Sequence, residues 1–552
     1  MNPQARSLLR HGWEQEARGE GDAAIETYRQ AVLADPRESA TYAHLGNLLY
    51  TSGYTAEARG IVRIGLRHLP DSPLLHWVDC MTTLPRVPAS AEERDRALAA
   101  FAAALPGLRA VCLGRAEALP EAVRAVGFMS PFLLPYHGPV DPALMAVHGR
   151  LAADIMGAAF PDHAHTRARA DACAGPVSRT PHEPIRIGIV TGLFRRHSVW
   201  RLPTRGWVEH LDRSRFRLFG YHPRDEHDDQ TAYAAGHFER FEHGLRPLPE
   251  WMRIIAEDRP HLLIYPQLGN DQPSSQLAAL RLAPVQCTTW GHPVTTGLPT
   301  IDHFLSSAAM EPPDGDMHYT ENLARLPGLG TVCDPSCAAW DEPLTVSDGW
   351  AALDLPRDSV RILCCQETPK YQPEHDDLYP RIAQALPNAR FVFMDLGRRG
   401  RDTLWARLYQ AFARHGLDAL AHCRFMPGLP PAAFSALVRD AHVVLDPIGW
   451  SGCNTTLEAV GHHIPVVTMP GATMRSRHGL AILSIAGVTD TIVHSPDDYV
   501  AAAVRLGRDE AFRGQVAARL ASGKARLYGD PAPVRWLEEF LEDAVDRACP
   551  VA

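Results

Sequence analysis

The sequence predicts an α/β protein in which two Rossmann-like lobes follow an all-α amino-terminal region. Three observations carry that prediction. Residues of matched type recur 34 positions apart near the start of the chain, short apolar runs alternate with helical stretches from Ile185 onward, and the alternation begins afresh near Val360. Alternating strands and helices mark a parallel sheet covered by helices. Short, wholly apolar runs fit strands buried on both faces.

In the first region Gly12, Gly19, Ala24 and Pro36 return as Gly46, Gly53, Ala58 and Pro70. That period, with small residues at helix crossings and a Pro closing each unit, resembles tetratricopeptide repeats. A helical hairpin of this kind cannot bury its apolar face alone, so the two units of residues 1–80 must lean on the next helices of the chain. From Ser90 to Met156 the chain is Ala- and Leu-rich, and ERDRALAAFAAAL is a strong helix former. SPFLLPYHGPVDP reads as a Pro-punctuated loop, and residues 157–183, including HTRARADACAGPVSRTPHEP, read as a linker. Residues 81–180 are thus a helical domain ending in a linker.

The first lobe is expected over residues 183–342, with strands in IRIGIV, RLFGY, HLLIY, PVQCTTW and IDHFLSS. The second is expected over 343–530, with strands in RILCC, RFVFM, CRFMP, HVVLD and IPVVTMP. Residues 531–552 supply a last helix, Val534–Ala548. Two such halves leave a crevice between them, and ligands of these folds sit at the carboxyl ends of the strands.

Composition narrows the function. A chain of 552 residues with 45% hydrophobic and 22% charged residues is a multi-domain globular protein. A formal charge of -9 argues against nucleic acid as the main partner. MNPQARSLLRHGWEQEARGE carries no signal-peptide core, and no run of about 18 uninterrupted apolar residues predicts a membrane span. The cysteines are scattered, and Cys333 with Cys337 lacks the second pair of a zinc site. Free, buried thiols in a reducing cytoplasm are expected. The acidic run Asp225–Asp229 reads as a solvated turn, and His462 and His463, adjacent on a helix, face different ways. No metal site is expected.

The most informative stretch is LDPIGWSGCNTTLEAVGHHIPVVTMPG, Leu445–Gly471. A strand ends at Asp446, a Gly-containing loop comes next, and a helix opens at Asn454 and Thr455. Unpaired N–H groups and side-chain donors there form a seat for a diphosphate. Glu458, one turn on, is placed to accept from ribose hydroxyls. The alternative is purely structural, with Asn454 and Thr455 as caps and Glu458 balancing the helix dipole. Lys370, between a strand and a helix in CCQETPKYQP, is placed to stabilise a leaving anion at the cleft edge.

SGCNTTLEAV, VVTMPG and MRSRHGLAILSIAG together resemble the protein O-GlcNAc transferase family, glycosyltransferase family 41, including its bacterial branch. RLAPVQCTTWGHPVTTGLPTIDHFLSS (Arg281–Ser307) resembles the same family, and its GHPVTT is closer to bacterial adhesin-type N-glycosyltransferases. The resemblance runs from residue 183 to near residue 510. It implies a two-lobed GT-B architecture and inverting, metal-independent transfer from a nucleoside-diphosphate sugar. UDP-GlcNAc or UDP-glucose is the favoured donor, and GDP-fucose is an alternative used by plant members. The implied acceptor is a protein side chain (Ser, Thr or Asn), with flagellin or an adhesin as candidate partners. No cofactor is implied.

Carried over position by position, Lys370 matches the diphosphate-contacting lysine. Gln366 precedes it, and Glu367 stands in the register of a donor-contacting glutamine. Asn454, Thr455 and Thr456 match phosphate-holding residues, Cys453 replaces a histidine, and Glu458 replaces a ribose-binding aspartate. The base site falls at Leu429–Phe434, with Pro431 where animal enzymes have a lysine. His197 matches the proposed catalytic base, although Ser198 and Val199 replace the usual Pro-Thr. Asp258 and His261 fall on positions implicated in proton transfer or acceptor contact. His292 resembles the sugar-contacting position, with Thr295 and Thr296 as helpers. Two other readings stay open: transfer to a glycan or lipid-linked acceptor, and a degenerate transferase acting as a repeat-containing interaction module.

Overall fold

The computed structural model describes residues 2–164, 183–333, 350, 353–395 and 398–549. The linker core with Cys173, Cys337, and the expected lobe boundary at residues 342–343 lie outside the described residues.

Eight helices form the amino-terminal region: α1 (Pro3–Ala17), α2 (Gly21–Ala34), α3 (Ser39–Thr51), α4 (Thr55–His68), α5 (Pro73–Met81), α6 (Ala91–Leu113), α7 (Leu119–Ala125) and α8 (Pro142–Ala159). The 34-residue period is visible as packing. Gly12 of α1 lies against the Tyr28 ring of α2, and its counterpart Gly46 of α3 lies against Val62 of α4, where a Cβ would come within 2.6 Å of the valine methyl. Each hairpin turns at a glycine of positive φ, Gly19 at 76° and Gly53 at 87°, a conformation costly for side-chain-bearing residues. The open end of the second hairpin is covered by α5, whose Leu75, Trp77 and Val78 are fully buried. Helix α6 is long and apolar enough, by length and composition, to cross a membrane. Arg109, paired with Asp154 at 2.6 Å, interrupts its apolar run, which is why the sequence predicted no span. Phe101, Leu105, Leu108 and Cys112 turn one of its faces into the helical core.

The first lobe is a seven-stranded parallel sheet: β1 (Ile185–Val190), β2 (Phe216–His222), β3 (Arg240–His243), β4 (Leu262–Tyr265), β5 (Val285–Thr289), β6 (His303–Ser307) and β7 (Asn322–Leu326), in the order β3-β2-β1-β4-β5-β6-β7. The second is five-stranded: β8 (Val360–Cys364), β9 (Ala389–Asp395), β10 (Cys423–Pro427), β11 (Val443–Leu445) and β12 (Val466–Val467), in the order β10-β9-β8-β11-β12. The sequence reading omits β3 and β7. Both are edge strands of mixed polarity, Arg-Phe-Glu-His and Asn-Leu-Ala-Arg-Leu, and lack a continuous apolar run. The last helix, Ala532–Ala548, crosses back to the first lobe. Its Val534, Leu537, Leu541 and Val545 join that lobe's core with Ile187 and Leu218, and Arg215 holds Glu538 and Glu542 at 2.9 and 2.6 Å.

Strand order reverses between β1 and β4 in the first sheet and between β8 and β11 in the second. Such switch points open a crevice at the carboxyl ends of the strands.

Candidate active site

The turns leaving β1, β5, β8, β10 and β11 converge on one cleft of about 650 Å³. The first lobe contributes His197–Val199 and Trp290–Pro293; the second contributes Cys365–Glu367, Lys370, Leu429, Phe434 and much of Trp450–Thr455. The helical region adds Arg86, Phe132 and Tyr136.

Asp446 organises the second lobe's side. Its buried carboxylate accepts from the Ser451 hydroxyl at 2.6 Å, the Gly452 N–H at 2.7 Å and the Thr468 hydroxyl at 2.7 Å. Ser451 in turn accepts from the Gly479 N–H at 2.7 Å. These bonds fold the loop back so that the helix Asn454–Gly461 presents its amino end to the cleft, where unpaired N–H groups favour an anion. Burial pushes the Asp446 carboxyl up to about 6.

Lys370 ends the short helical turn Thr368–Lys370 beyond β8. Its Nζ donates to Gln366 Oε1 at 2.6 Å, and Gln366 Nε2 donates to the Thr455 hydroxyl. A side-chain relay therefore joins the lysine to the helix start, because both turns leave neighbouring strands at the switch point. Gly452 makes the relay possible: a Cβ there would collide with the Gln366 amide and the Thr455 hydroxyl. Burial lowers the Lys370 pKa, while Glu367 and Asp446 favour its charged form. Arg86 lies 3.8 Å from Glu367 and brings a second cation to this corner.

An aromatic wall closes the cleft, with two rings from the helical region and one from each lobe. Phe132 stacks on His292 at 4.4 Å, His292 lies 5.9 Å from Trp450, and Tyr136 stacks on Trp450 at 3.9 Å. Burial, assisted by Arg475, pushes the His292 pKa down to about 3, so the ring is neutral. His197 is likewise held down, to about 4, by burial and Arg195. Its Nδ1 accepts from the Val199 N–H at 3.1 Å, which leaves the proton of the neutral ring on Nε2. Arg201, on a π-helical turn just beyond, donates across the cleft to Asn454 Oδ1.

Residues 352–528 match the family described as Glycosyl transferase family 41. The second lobe is a glycosyltransferase family 41 domain. The chain is 26% identical over 345 residues to the Arabidopsis thaliana protein named probable UDP-N-acetylglucosamine–peptide N-acetylglucosaminyltransferase SPINDLY, a match covering 60% of this chain and 36% of that protein. It is 23% identical over 370 residues to the UDP-glucose:protein N-beta-glucosyltransferase of Actinobacillus pleuropneumoniae, covering 65% of this chain and 56% of that one. The matches thus span only about a third of the plant relatives' length. A mutant O-GlcNAc transferase of Thermobaculum terrenum has the same fold, with TM-score 0.71 and 24% identity over 99% of this chain and 98% of that one.

The family 41 lobe places Gln366, Glu367, Lys370, Leu429, Cys453, Asn454 and Thr455 on the cleft wall, and the first lobe adds His197 and His292. Thr456 is turned away and donates to the Gly452 carbonyl at 2.6 Å. Glu458 sits one turn behind the wall, bonded by Ser435 and pushed up to about 7 by burial. Pro431 is exposed at the first turn of the helix Pro431–Arg439 and does not line the cleft.

Four further expectations need correction. His261 immediately precedes β4, so it lies at the amino end of the sheet, opposite the cleft. There its Nδ1 accepts from the Arg186 N–H at 3.0 Å in a fully buried setting. Asp258 precedes the same strand and is held by the Tyr221 hydroxyl at 2.8 Å and Arg240 at 3.0 Å. Neither is positioned to meet an acceptor in the crevice. Thr295 and Thr296 bond the Glu321 carboxylate and line a separate, small apolar cavity beneath the helical region. They brace the His292 loop rather than touch the cleft.

Asp446, Trp290, Trp450, His478, Arg86, Phe132 and Tyr136 were not singled out from sequence. Trp290 and Trp450 stand inside the motifs WGHP and IGWSG, and His478 in MRSRHG. Phe132 and Tyr136 come from the Pro-punctuated segment read as a bare loop, where only the aromatics themselves were a signal.

Proposed function

We propose that the protein is an inverting, metal-independent glycosyltransferase that moves a hexose or GlcNAc from a nucleoside-diphosphate sugar, with UDP favoured, to protein side chains. The Lys370–Gln366–Thr455 relay at the amino end of a helix carries this reading. It concentrates an ammonium group and aligned N–H donors where a pyrophosphate would develop charge on leaving.

The donor runs through the cleft in one direction. The nucleoside lies toward Leu429 and Phe434, the diphosphate against Lys370 and the Asn454–Thr455 helix start, and the sugar toward Trp290 and His292 of the first lobe. The acceptor nucleophile attacks the anomeric carbon, the bond from that carbon to the phosphate oxygen breaks, and the diphosphate departs with the electron pair. Two fixed features supply the compensating charge, so the step needs no divalent cation. With its proton on Nε2, His197 is a donor to the reacting groups. The acceptor proton then passes to the departing phosphate oxygen.

A protein acceptor accords with the activities for which the plant and Actinobacillus relatives are named. It would enter over Arg86, Phe132 and Tyr136, and a folded surface such as that of a flagellin or adhesin suits the two repeat hairpins seen among the described residues. The nine described cysteines are free and mostly buried, in keeping with action in a reducing cytoplasm. The test is calorimetric titration with UDP, GDP and their sugar conjugates, paired with mass spectrometry of proteins co-expressed with the chain. Nucleotide binding with hexose-sized mass additions on protein is the expected result. Label confined to lipid or polysaccharide would move the acceptor class, and no UDP or GDP binding would end the transferase reading.

A further inference from the structure

Two buried polar groups face each other across the cleft without partners. Trp290, at the carboxyl end of β5, is 5% exposed, and His478, at the start of the helix His478–Ile485, is 4% exposed. Both line the cleft, one from each lobe, with ring centroids 6.3 Å apart and planes inclined by 53°. The Trp290 indole N–H has no hydrogen-bond partner among the described residues, and neither His478 nitrogen has one of good geometry. A buried donor left unpaired is costly, and several at one spot in a cleft require an explanation.

The His478 ring is neutral, since burial and the nearby Lys370 ammonium push its pKa down to about 3. The Ser451 backbone carbonyl beside it attracts the single ring proton, although the contact falls short of a well-formed bond. The other nitrogen then offers a lone pair. An indole can only donate. The pair thus presents one donor and one acceptor, and the complement of that set on a sugar is a hydroxyl, which accepts from the indole and donates to the imidazole. A hydroxyl offers both functions on one oxygen, which suits two rings whose centroids are 6.3 Å apart, whereas an acetamido group carries its donor and its acceptor on separate atoms. His478 is near Lys370 and beside Trp290, toward which the proposed donor orientation turns the sugar.

The geometry points to Trp290 and His478 as a donor-specificity pair that reads a free hydroxyl of the transferred sugar, selecting an unsubstituted hexose over an N-acetylhexosamine. This inference rests on the nucleotide-sugar reading of the cleft. Its test is calorimetry of the full chain and of Trp290→Phe and His478→Phe with UDP, UDP-glucose and UDP-GlcNAc. In the wild type, UDP-glucose should bind about tenfold more tightly than UDP, and UDP-GlcNAc no more tightly than UDP. Each variant should keep UDP affinity within about twofold and lose the glucose increment. A larger increment for UDP-GlcNAc, survival of the glucose increment in both variants, or equal loss of UDP and UDP-glucose binding by the variants overturns the inference while the wild type's nucleotide binding stands. Absence of UDP binding in the wild type instead removes the reading beneath it. A series of UDP-monodeoxyglucoses on the wild type needs no variant to fold: one member should lack the increment, and an undiminished series overturns the pair's role.

Discussion

The Tyr136 ring lies on the Trp450 indole with centroids 3.9 Å apart and planes only 13° from parallel. One ring belongs to the helical region and the other to the loop that Asp446 folds, so the contact clamps the repeats' domain onto the second lobe. The Gln372 side-chain amide adds a bond to the Tyr136 carbonyl. Tyr136→Ala should therefore cost about 3 kcal/mol in denaturant unfolding and loosen the cleft wall. Tyr136→Phe keeps the stack and should stay within about 1 kcal/mol of wild type. Equal effects of the two substitutions would show that the stack is not what matters.

Lys370 separates function from stability. Its ammonium is buried and its folded pKa is lowered, chiefly by desolvation. The charged form is therefore the costly one, and that cost disappears as pH rises through the folded pKa toward the unfolded value of about 10.4. Lys370→Met should melt no lower than wild type at neutral pH, yet lose turnover by at least about 1,000-fold. Turnover within a few-fold of wild type, measured as UDP release, would refute the leaving-group role.

Much of this was legible before any coordinates. Continuous runs such as IRIGIV and RFVFM announced central strands because burial on both faces demands apolar residues throughout. Gly12 and Gly46 announced helix crossings because only a glycine admits so close a neighbour. The helix start on the cleft wall was legible because Asn454 and Thr455 come after a strand and a glycine loop. His261 and Asp258 were misplaced because they were carried over from the family resemblance, although both stand at or before the start of HLLIY and so at the amino end of that parallel strand, away from the ligand end. The role of Asp446 was hidden because its partners, Ser451, Gly452 and Thr468, are ordinary in sequence and meet only through the fold. Tyr136 lay beyond reach because its partner is more than three hundred positions away.

Gly452 is a position where binding and folding should part company. An added Cβ meets the Gln366 amide and the Thr455 hydroxyl. The amide is the end of a flexible side chain, so it moves aside at a stability cost of no more than about 1 kcal/mol. That movement breaks the relay to Lys370. Gly452→Ala should thus weaken UDP binding by about tenfold or more with little change in melting temperature. A large loss of stability with unchanged UDP affinity would contradict the relay's role.

Glu458 gives the second lobe a pH signature. Burial raises its folded pKa from 4.5 to about 7. A carboxyl with a raised folded pKa contributes stability below its unfolded value, and that contribution is lost as pH climbs through the folded one. The wild type should therefore lose stability between about pH 4.5 and 7 relative to Glu458→Gln, by an amount of order 3 kcal/mol at most. Asp446, shifted to about 6 in the same direction, titrates in both proteins and cancels in the difference. Parallel pH–stability curves for the two proteins would refute the raised pKa.

His197 tests the chemistry itself. The Val199 N–H occupies its Nδ1, so the neutral ring shows a proton, not a lone pair, at Nε2. A general base at this position would need the opposite tautomer. A glutamine amide supplies a donor near the Nε2 position but is no base, so His197→Gln should keep at least about tenfold more kcat than His197→Ala. Because burial and Arg195 hold the histidine near 4, its protonation should leave the kcat/KM profile flat between pH 6 and 8. If glutamine and alanine are equally crippled, and the wild-type profile falls with a pKa near 6.5, then the imidazole lone pair takes the acceptor proton and the departing phosphate does not.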